Sequence, residues 1–467
     1  MFDEQDQRLD GYRVDAAGEL LAFTTSGNVK NIILGALELT GNLDVDALQK
    51  AVSRVVRDMP HFAMGLRETR EKGKYYLRWD QRRLFEVPLI RTHLTGDSTR
   101  KTSGLEMLLE HLQPYLNSDR DLFRQPPCEV HVVSIGEKRH ILAAIMSHVA
   151  GDAMALVHIV RHFMVAYHEI VTASTPELMD YQMSASTSNK RELRRQGTVL
   201  RDYLVTCRHA FVPYKKCSLP IGTGSPQDQV EHHAKRILSQ ESTQDLVKRA
   251  GALRIALVDY LLASAVQAVS LWNDERGART SLITAALTVN LNGRFQRNRG
   301  LNNDSVIYFE CTDDETLEFG MLGRQICRTR IRQFRQHLDV KYAQGMEKLN
   351  NALRFLPFSL RKRPYRWLLQ RHRTSLALGF FGVLWPRTNG RSITGESYLL
   401  SAGGLEITEV HGMAYKLLSR TPLYFSTYIY RQQLNLILSA AGCQFTKAES
   451  EDFLSLVVRI LCSRERP

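Results

Sequence analysis

No CxxC pair occurs in this chain. Its seven cysteines, Cys128, Cys207, Cys217, Cys311, Cys327, Cys443 and Cys462, are odd in number and widely scattered. That argues against a disulfide framework and against a sulfur-ligated zinc site, and it fits a reducing compartment. Long apolar runs are missing too. Stretches such as Leu376 to Trp385 fall far short of the ~20 residues that cross a bilayer. The opening residues, Met1-Phe2-Asp3-Glu4-Gln5-Asp6, are acidic and polar, unlike a secretory leader. A cytoplasmic protein is therefore expected. No zinc-finger spacing, aromatic ribonucleoprotein-type motif or helix-turn-helix signal accompanies the basic charge, so nucleic acid is not an expected partner. No fixed period points to a solenoid.

What is present is ordinary in bulk. The 467 residues are 43% hydrophobic and 24% charged. That is enough to bury a sizeable core in two or three domains of ~150–200 residues. Lys and Arg number 62 against 49 Asp and Glu, a net +13. Such an excess favours anionic partners, such as a phosphate-bearing ligand, an acidic protein or an anionic membrane, although solubility alone accounts for it.

Patterning alternates strand and helix. Residues 43–59 read as a helix capped by Asp44, with Leu48, Val52, Val55 and Met59 on one side, and Pro60 ends it. Tyr75–Trp79 and Phe85–Ile90 read as extended. Glu129–Ile135 and His140–Met146 form a predicted hairpin over Gly136-Glu137-Lys138. Its second strand is apolar from Ile141 to Met146, the pattern of a strand buried on both faces. A helical pattern runs over 152–169, and a Ser-, Thr- and charge-rich stretch follows over 173–197. The second half shows helices over 240–250 and 257–272 and strands over 281–291 and 305–311. A mostly helical region follows over 314–350, then a hairpin over 423–438 and a closing helix over 449–464.

The chemistry-bearing stretch is Ser147-His148-Val149-Ala150-Gly151-Asp152-Ala153. His148 stands at the end of the apolar strand. Its imidazole titrates near working pH, so it can take a proton and return it. Asp152 follows four residues later, where a helix begins. Alone, an HxxxD is common by chance; its position after a buried strand raises its weight.

This stretch resembles the HHxxxDG motif of the coenzyme A-dependent acyltransferases of the chloramphenicol-acetyltransferase fold, which include peptide-synthetase condensation domains, wax ester synthases and polyketide-associated acyltransferases. Weaker matches follow in order. Gly41–Leu48 with His61-Phe62 resembles the opening helix and the turn after it, and Asp121–Pro127 the segment before the hairpin. Ala256–Ser264 resembles the second-half helix. Val289–Arg294 with Gly300-Leu301-Asn302-Asn303 resembles the strand, arginine and Gly-Asn loop. Ser401-Ala402-Gly403-Gly404 stands where the family often carries a Ser-Asn-x-Gly turn. Two positions depart from the motif: Ser147 replaces the first histidine and Ala153 the glycine.

The resemblance implies an α/β (α+β) fold of two-layer sandwiches, two similar halves in a V with a tunnel between them. The expected limits are 1–175 for the first half, 176–197 for a linker and 198–467 for the second half. His148 would be the general base that deprotonates a hydroxyl or amine acceptor as it attacks a thioester carbonyl. Asp152 would be structural, pointing away from the channel and paired with Arg294. Gly151 would shape the turn, with its N–H toward the oxyanion. Ser147, Ala153, Asn290 and Ser401 are candidate channel residues. No tightly bound cofactor and no metal is expected. The co-substrate would be an acyl-coenzyme A or a phosphopantetheinyl carrier-protein thioester, the acceptor a small molecule or lipid, and the protein a monomer. The alternative is a catalytically silent relative that binds an acyl carrier or a membrane lipid.

Other features have plainer readings. His158 and His162 stand one helical turn apart but lack a third ligand, and His168 and His232-His233 read as surface or loop residues. Asp259 reads as structural. The segment 354–373 mixes Arg354, Arg361, Lys362, Arg363, Arg366, Arg371 and Arg373 with aromatic and aliphatic residues. Pro357 and Pro364 are expected to break it into short helical pieces. A solvated face explains it most simply; the functional reading is a peripheral surface for anionic lipid or an acidic carrier.

Overall fold

The computed structural model describes residues 13–24, 31–94, 104–118, 120–174, 212–228, 230–278, 280–291, 302, 304–312, 318–385, 399–415 and 421–463. The expected linker 176–197 lies outside them, as does Arg294.

Two six-stranded sheets organise the molecule. The first half contributes helix α1 (Ala16–Thr24), strand β1 (Ile32–Thr40), helix α2 (Val45–Asp58) and strands β2 (Met64–Glu71), β3 (Lys74–Leu84) and β4 (Leu89–Leu94). It continues with helix α3 (Gly104–Leu116), strands β5 (Cys128–Ile135) and β6 (Arg139–Ser147), and helix α4 (Ala153–Thr172). Asp44 caps α2 as expected, accepting from the N–H groups of Asp46 and Ala47. Strand β6 lies between β1 and β5, with Ile141–Met146 at most 1% exposed, so its unbroken apolar run is used on both faces.

The second half begins with strand β7 (Glu231–Ile237) and helices α5 (Gln240–Ala252) and α6 (Leu257–Asp274), then strands β8 (Leu282–Asn290) and β9 (Asp304–Thr312). Helices α7 (Phe319–Arg335), α8 (Leu338–Leu353) and α9 (Phe358–Arg371) follow, then strands β10 (Leu376–Val383), β11 (Ser401–Ala402), β12 (Leu405–Tyr415), β13 (Leu423–Tyr430) and β14 (Gln433–Ala441), and helix α10 (Lys447–Cys462). The sheet of this half runs β7-β14-β13-β10-β8-β9. His337, in the left-handed region at φ 52°, separates α7 from α8. A capping box of Thr446 and Glu449 starts α10.

The expected boundary at 198 does not separate the sheets. Strands β11 and β12 leave the second half and complete the first sheet, in the order β11-β12-β1-β6-β5-β4. β12 pairs antiparallel with β1, Gly412 opposite Gly35 and Val410 opposite Leu37. The core of the first half accordingly includes Leu405, Ile407, Val410 and Met413. Strand pairing is non-local, and periodicity does not say which sheet a strand joins.

Helix α9 gives a second correction. It runs from Phe358 through Pro364 to Arg371 without breaking. Burial of Tyr365 and Arg361, 1% and 0% exposed, anchors it against the first half, so tertiary packing overrides the local penalty.

Candidate active site

Strand β6 delivers His148 into a tight turn. Ala150 N–H donates to the Ser147 carbonyl at 2.9 Å, and His148 N–H donates to the Asn31 carbonyl at 2.8 Å. The turn thus hangs on the chain just before β1. Helix α1 closes behind it: a Cβ placed on Gly18 would stand 2.8 Å from the Val149 carbonyl oxygen, so only glycine permits this approach. Buried Gly151 and Asp152 then lead into α4. Asp152 is the N-cap of that helix, its Oδ1 accepting from Ala155 N–H at 2.8 Å.

The second half reaches His148 through Asn302. This residue is 1% exposed, and its Oδ1 lies 3.3 Å from His148 Nδ1. Its Nδ2 donates to the Val149 carbonyl at 3.4 Å, which turns the amide oxygen toward the imidazole. With the amide oxygen facing it, Nδ1 is the ring nitrogen engaged by Asn302. In the sequence Asn302 carries no signal beyond its place in a Gly-Asn loop.

His148 opens onto a cavity of about 340 Å³ between the two sheets. Its walls are β1 from Ile32 to Leu37, the start of α4, β12 from Val410 to Met413, and residues of β8, β10 and β13. Met154, Leu156, Phe380, Phe381 and Trp385 make it largely apolar. Ser147 pairs with Ile32 and His411 with Ala36, so the cavity extends four residues along β1, roughly 13 Å at ~3.3 Å per residue.

Of the other expected site residues, Asp152, Ala153 and Asn290 line this cavity. Asp152 is among the lining residues, and its carboxylate caps the first turn of α4. Ser147 does not line it: it is 3% exposed, and its hydroxyl accepts from Val149 N–H at 3.4 Å. Ser401 stands exposed on β11, at the outer edge of the first sheet, and is not part of the lining. In both cases the family position does not fix which way the strand turns its side chain. Asp152 is placed by its cap; its expected partner Arg294 lies outside the described residues.

A largely buried polar network that the sequence did not announce meets the cavity at His411. Lys235 Nζ donates to Glu409 Oε2 at 2.8 Å and to His411 Nδ1 at 3.0 Å. His411 Nε2 in turn donates to Glu38 Oε1 at 3.1 Å, and Arg139 pairs with Glu38 at 3.0 Å. Burial alone would push the Glu38 carboxyl up; the His411 and Arg139 contacts outweigh it and hold it at about 2. Burial and then the Lys235 charge keep His411 below the usual histidine range. Glu38, Glu409 and His411 are close enough together to suggest a metal site, but the Lys235 ammonium already fills the cation position. One acid inside the otherwise apolar strand Ile32–Thr40 was the available signal.

A condensation-domain family model matches residues 31–286. Solved structures are similar over nearly the whole chain. The first condensation domain of the calcium-dependent antibiotic synthetase, in complex with a substrate analogue, is 12% identical at a TM-score of 0.68, covering 97% of this chain and 96% of that one. The starter condensation domain of rhizomide synthetase, a mutant in complex with C8-CoA, is 12% identical at 0.64, covering 98% and 96%. Polyketide synthase associated protein 5 from Mycobacterium tuberculosis is 15% identical at 0.59, covering 97% of each chain. No curated protein sequence matches significantly. At these identities the structures establish a shared two-lobed fold.

Proposed function

This chain belongs to the condensation-domain family, and from that premise we propose that it transfers an acyl group from a coenzyme A or acyl-carrier-protein thioester to a hydroxyl or amine, with His148 as general base. The observation that carries the proposal is the junction of His148 with the cavity. His148 lines a largely apolar cavity between the two sheets while Asn302 engages its Nδ1, which leaves Nε2 as the ring nitrogen that would meet an acceptor. The acceptor O–H or N–H would donate to Nε2 and lose its proton as it attacks the thioester carbonyl. The same nitrogen would return a proton to the departing thiolate. The new ester or amide bond replaces the C–S bond, and no covalent acyl-enzyme is needed.

Proximity contributes alongside acid–base chemistry, because a channel shared by both substrates makes the attack effectively intramolecular. The cavity's apolar walls suit an aliphatic acyl group laid along β1. A solved relative in complex with C8-CoA supports a thioester donor for this chain too. Ester formation is the first choice, and amide formation the second.

The test is product analysis by mass spectrometry after incubating the protein with mixed acyl-coenzyme A and acyl-carrier thioesters and a panel of alcohols and amines. Acylated acceptor with free thiol is the expected outcome. Binding of thioesters without any transfer would instead assign the chain to the silent, carrier-binding alternative.

A further inference from the structure

Helix α9 carries its polarity the wrong way round. Its inward line is Phe358, Arg361 and Tyr365, and it places a guanidinium in the interior at 0% exposure. Its outward line is Leu360, Arg363, Trp367 and Arg371, spaced three, four and four residues apart and therefore on one face. On that face Leu360 is 43% and Trp367 53% exposed. Leu356, one turn earlier, extends the stripe, and Phe355 beside it is 64% exposed. Cations border every ring: the Arg371 guanidinium lies 3.8 Å from the Trp367 centroid and Lys74 Nζ 5.2 Å from that of Phe355.

Water alone does not favour burying arginine and exposing leucine and tryptophan on the same helix. Along this segment of the sequence the charge has one sign. From Lys348 to Arg373 the sequence holds eight Lys or Arg and no Asp or Glu. Two of those cations, Arg354 and Arg361, are turned inward to Glu19, while Arg363 and Arg371 remain exposed beside the apolar residues.

We propose that this face, from Phe355 to Arg371, docks the protein on an anionic lipid surface. The rings and leucines enter the boundary between headgroups and acyl chains, and the arginines and lysines pair with lipid phosphate. A single line of side chains protruding from a surface helix suits a fluid interface, which needs no preformed pocket. The face also lies one helix away from the catalytic turn, because α1 packs against α9 on one side and brings Gly18 against Val149 on the other. The inference does not depend on the acyl-transfer reading.

The protein carries its own reporter. Of its four tryptophans, Trp79, Trp272 and Trp385 are 3–6% exposed, so Trp367 alone can change environment on docking. The full chain is mixed with vesicles of phosphatidylcholine alone or of phosphatidylcholine and phosphatidylglycerol in equal parts, and read by co-sedimentation and tryptophan emission. Wild type is expected to sediment with the anionic vesicles, with a blue shift, and to be released by raised salt. Leu356→Ser with Leu360→Ser weakens partition at least ~tenfold, Arg363→Glu with Arg371→Glu removes the preference for anionic lipid, and both keep the wild-type circular dichroism melt. Turnover of a soluble thioester by the leucine variant stays at the wild-type level. Three results would overturn the proposal: no binding to anionic vesicles, binding that ignores these substitutions, or binding to an acidic carrier protein but not to vesicles.

Discussion

Asn302 of the second half holds Nδ1 of His148 in the first, at 3.3 Å, while its own amide nitrogen is tied to the Val149 carbonyl at 3.4 Å. The imidazole is thus oriented from across the junction between the halves. Asn302→Ala should lower kcat by one to two orders of magnitude, part of the ~10²–10⁴ that a positioned base supplies, with little change in KM for the donor. Steady-state kinetics decide it; an unchanged kcat would remove Asn302 from the account.

Asp152 acts as a helix cap, and the two obvious substitutions separate that role from a charge-dependent one. Asparagine caps as well as aspartate, whereas alanine costs about 1 kcal/mol. Asp152→Asn should therefore lose less stability than Asp152→Ala, read as urea midpoints. Equal destabilisation by both would show that the negative charge, and hence a cationic partner, matters more than the cap.

Gly412 faces Gly35 across the β1–β12 pairing and lines the cavity, and a Cβ added there meets nothing within 4 Å. Gly412→Leu should fold normally and fill part of the channel about 10 Å beyond the catalytic turn, at ~3.3 Å per residue. Competition between short and long acyl thioesters is expected to shift toward the short ones, since a methylene lost from an apolar site is worth ~1–3 kcal/mol. An unchanged chain-length profile would place the acyl group elsewhere.

Glu19 and Arg361, both 0% exposed, join helix α1 to helix α9. Glu19 also accepts from Leu77 N–H at 3.0 Å and pairs with Arg354 at 3.0 Å, so it is a hub. Arg361 sits 3.7 Å from Glu19 and 3.5 Å from Glu68. Glu19→Ala leaves buried positive charge and should cost about 3–5 kcal/mol, while Arg361→Met should cost less, because Glu19 keeps its pairing with Arg354. Urea denaturation of both variants tests the asymmetry; a loss in Arg361→Met as large as in Glu19→Ala would contradict it.

Much of the local structure was readable from the sequence. The apolar run Ile141–Met146 gave both the central strand and the place where His148 emerges, and Asp44 marked the start of α2. What stayed hidden depended on distant partners. Nothing local in Leu405–Tyr415 says that it crosses to the first sheet, and nothing in Asn302 says that it reaches His148. The segment 354–373 read as basic and amphipathic, but which arginines turn inward depended on Glu19, more than three hundred residues away. Resemblance to a family placed Ser147 and Ser401 near the channel; strand register put one inside the sheet's end and the other at its edge.

The most direct measurement is the rate of acyl transfer by His148→Ala under saturating thioester and acceptor. The account predicts a loss of about 10²–10⁴-fold with thioester binding and thermal melting at wild-type levels. Transfer at the wild-type rate by a folded His148→Ala protein would contradict it.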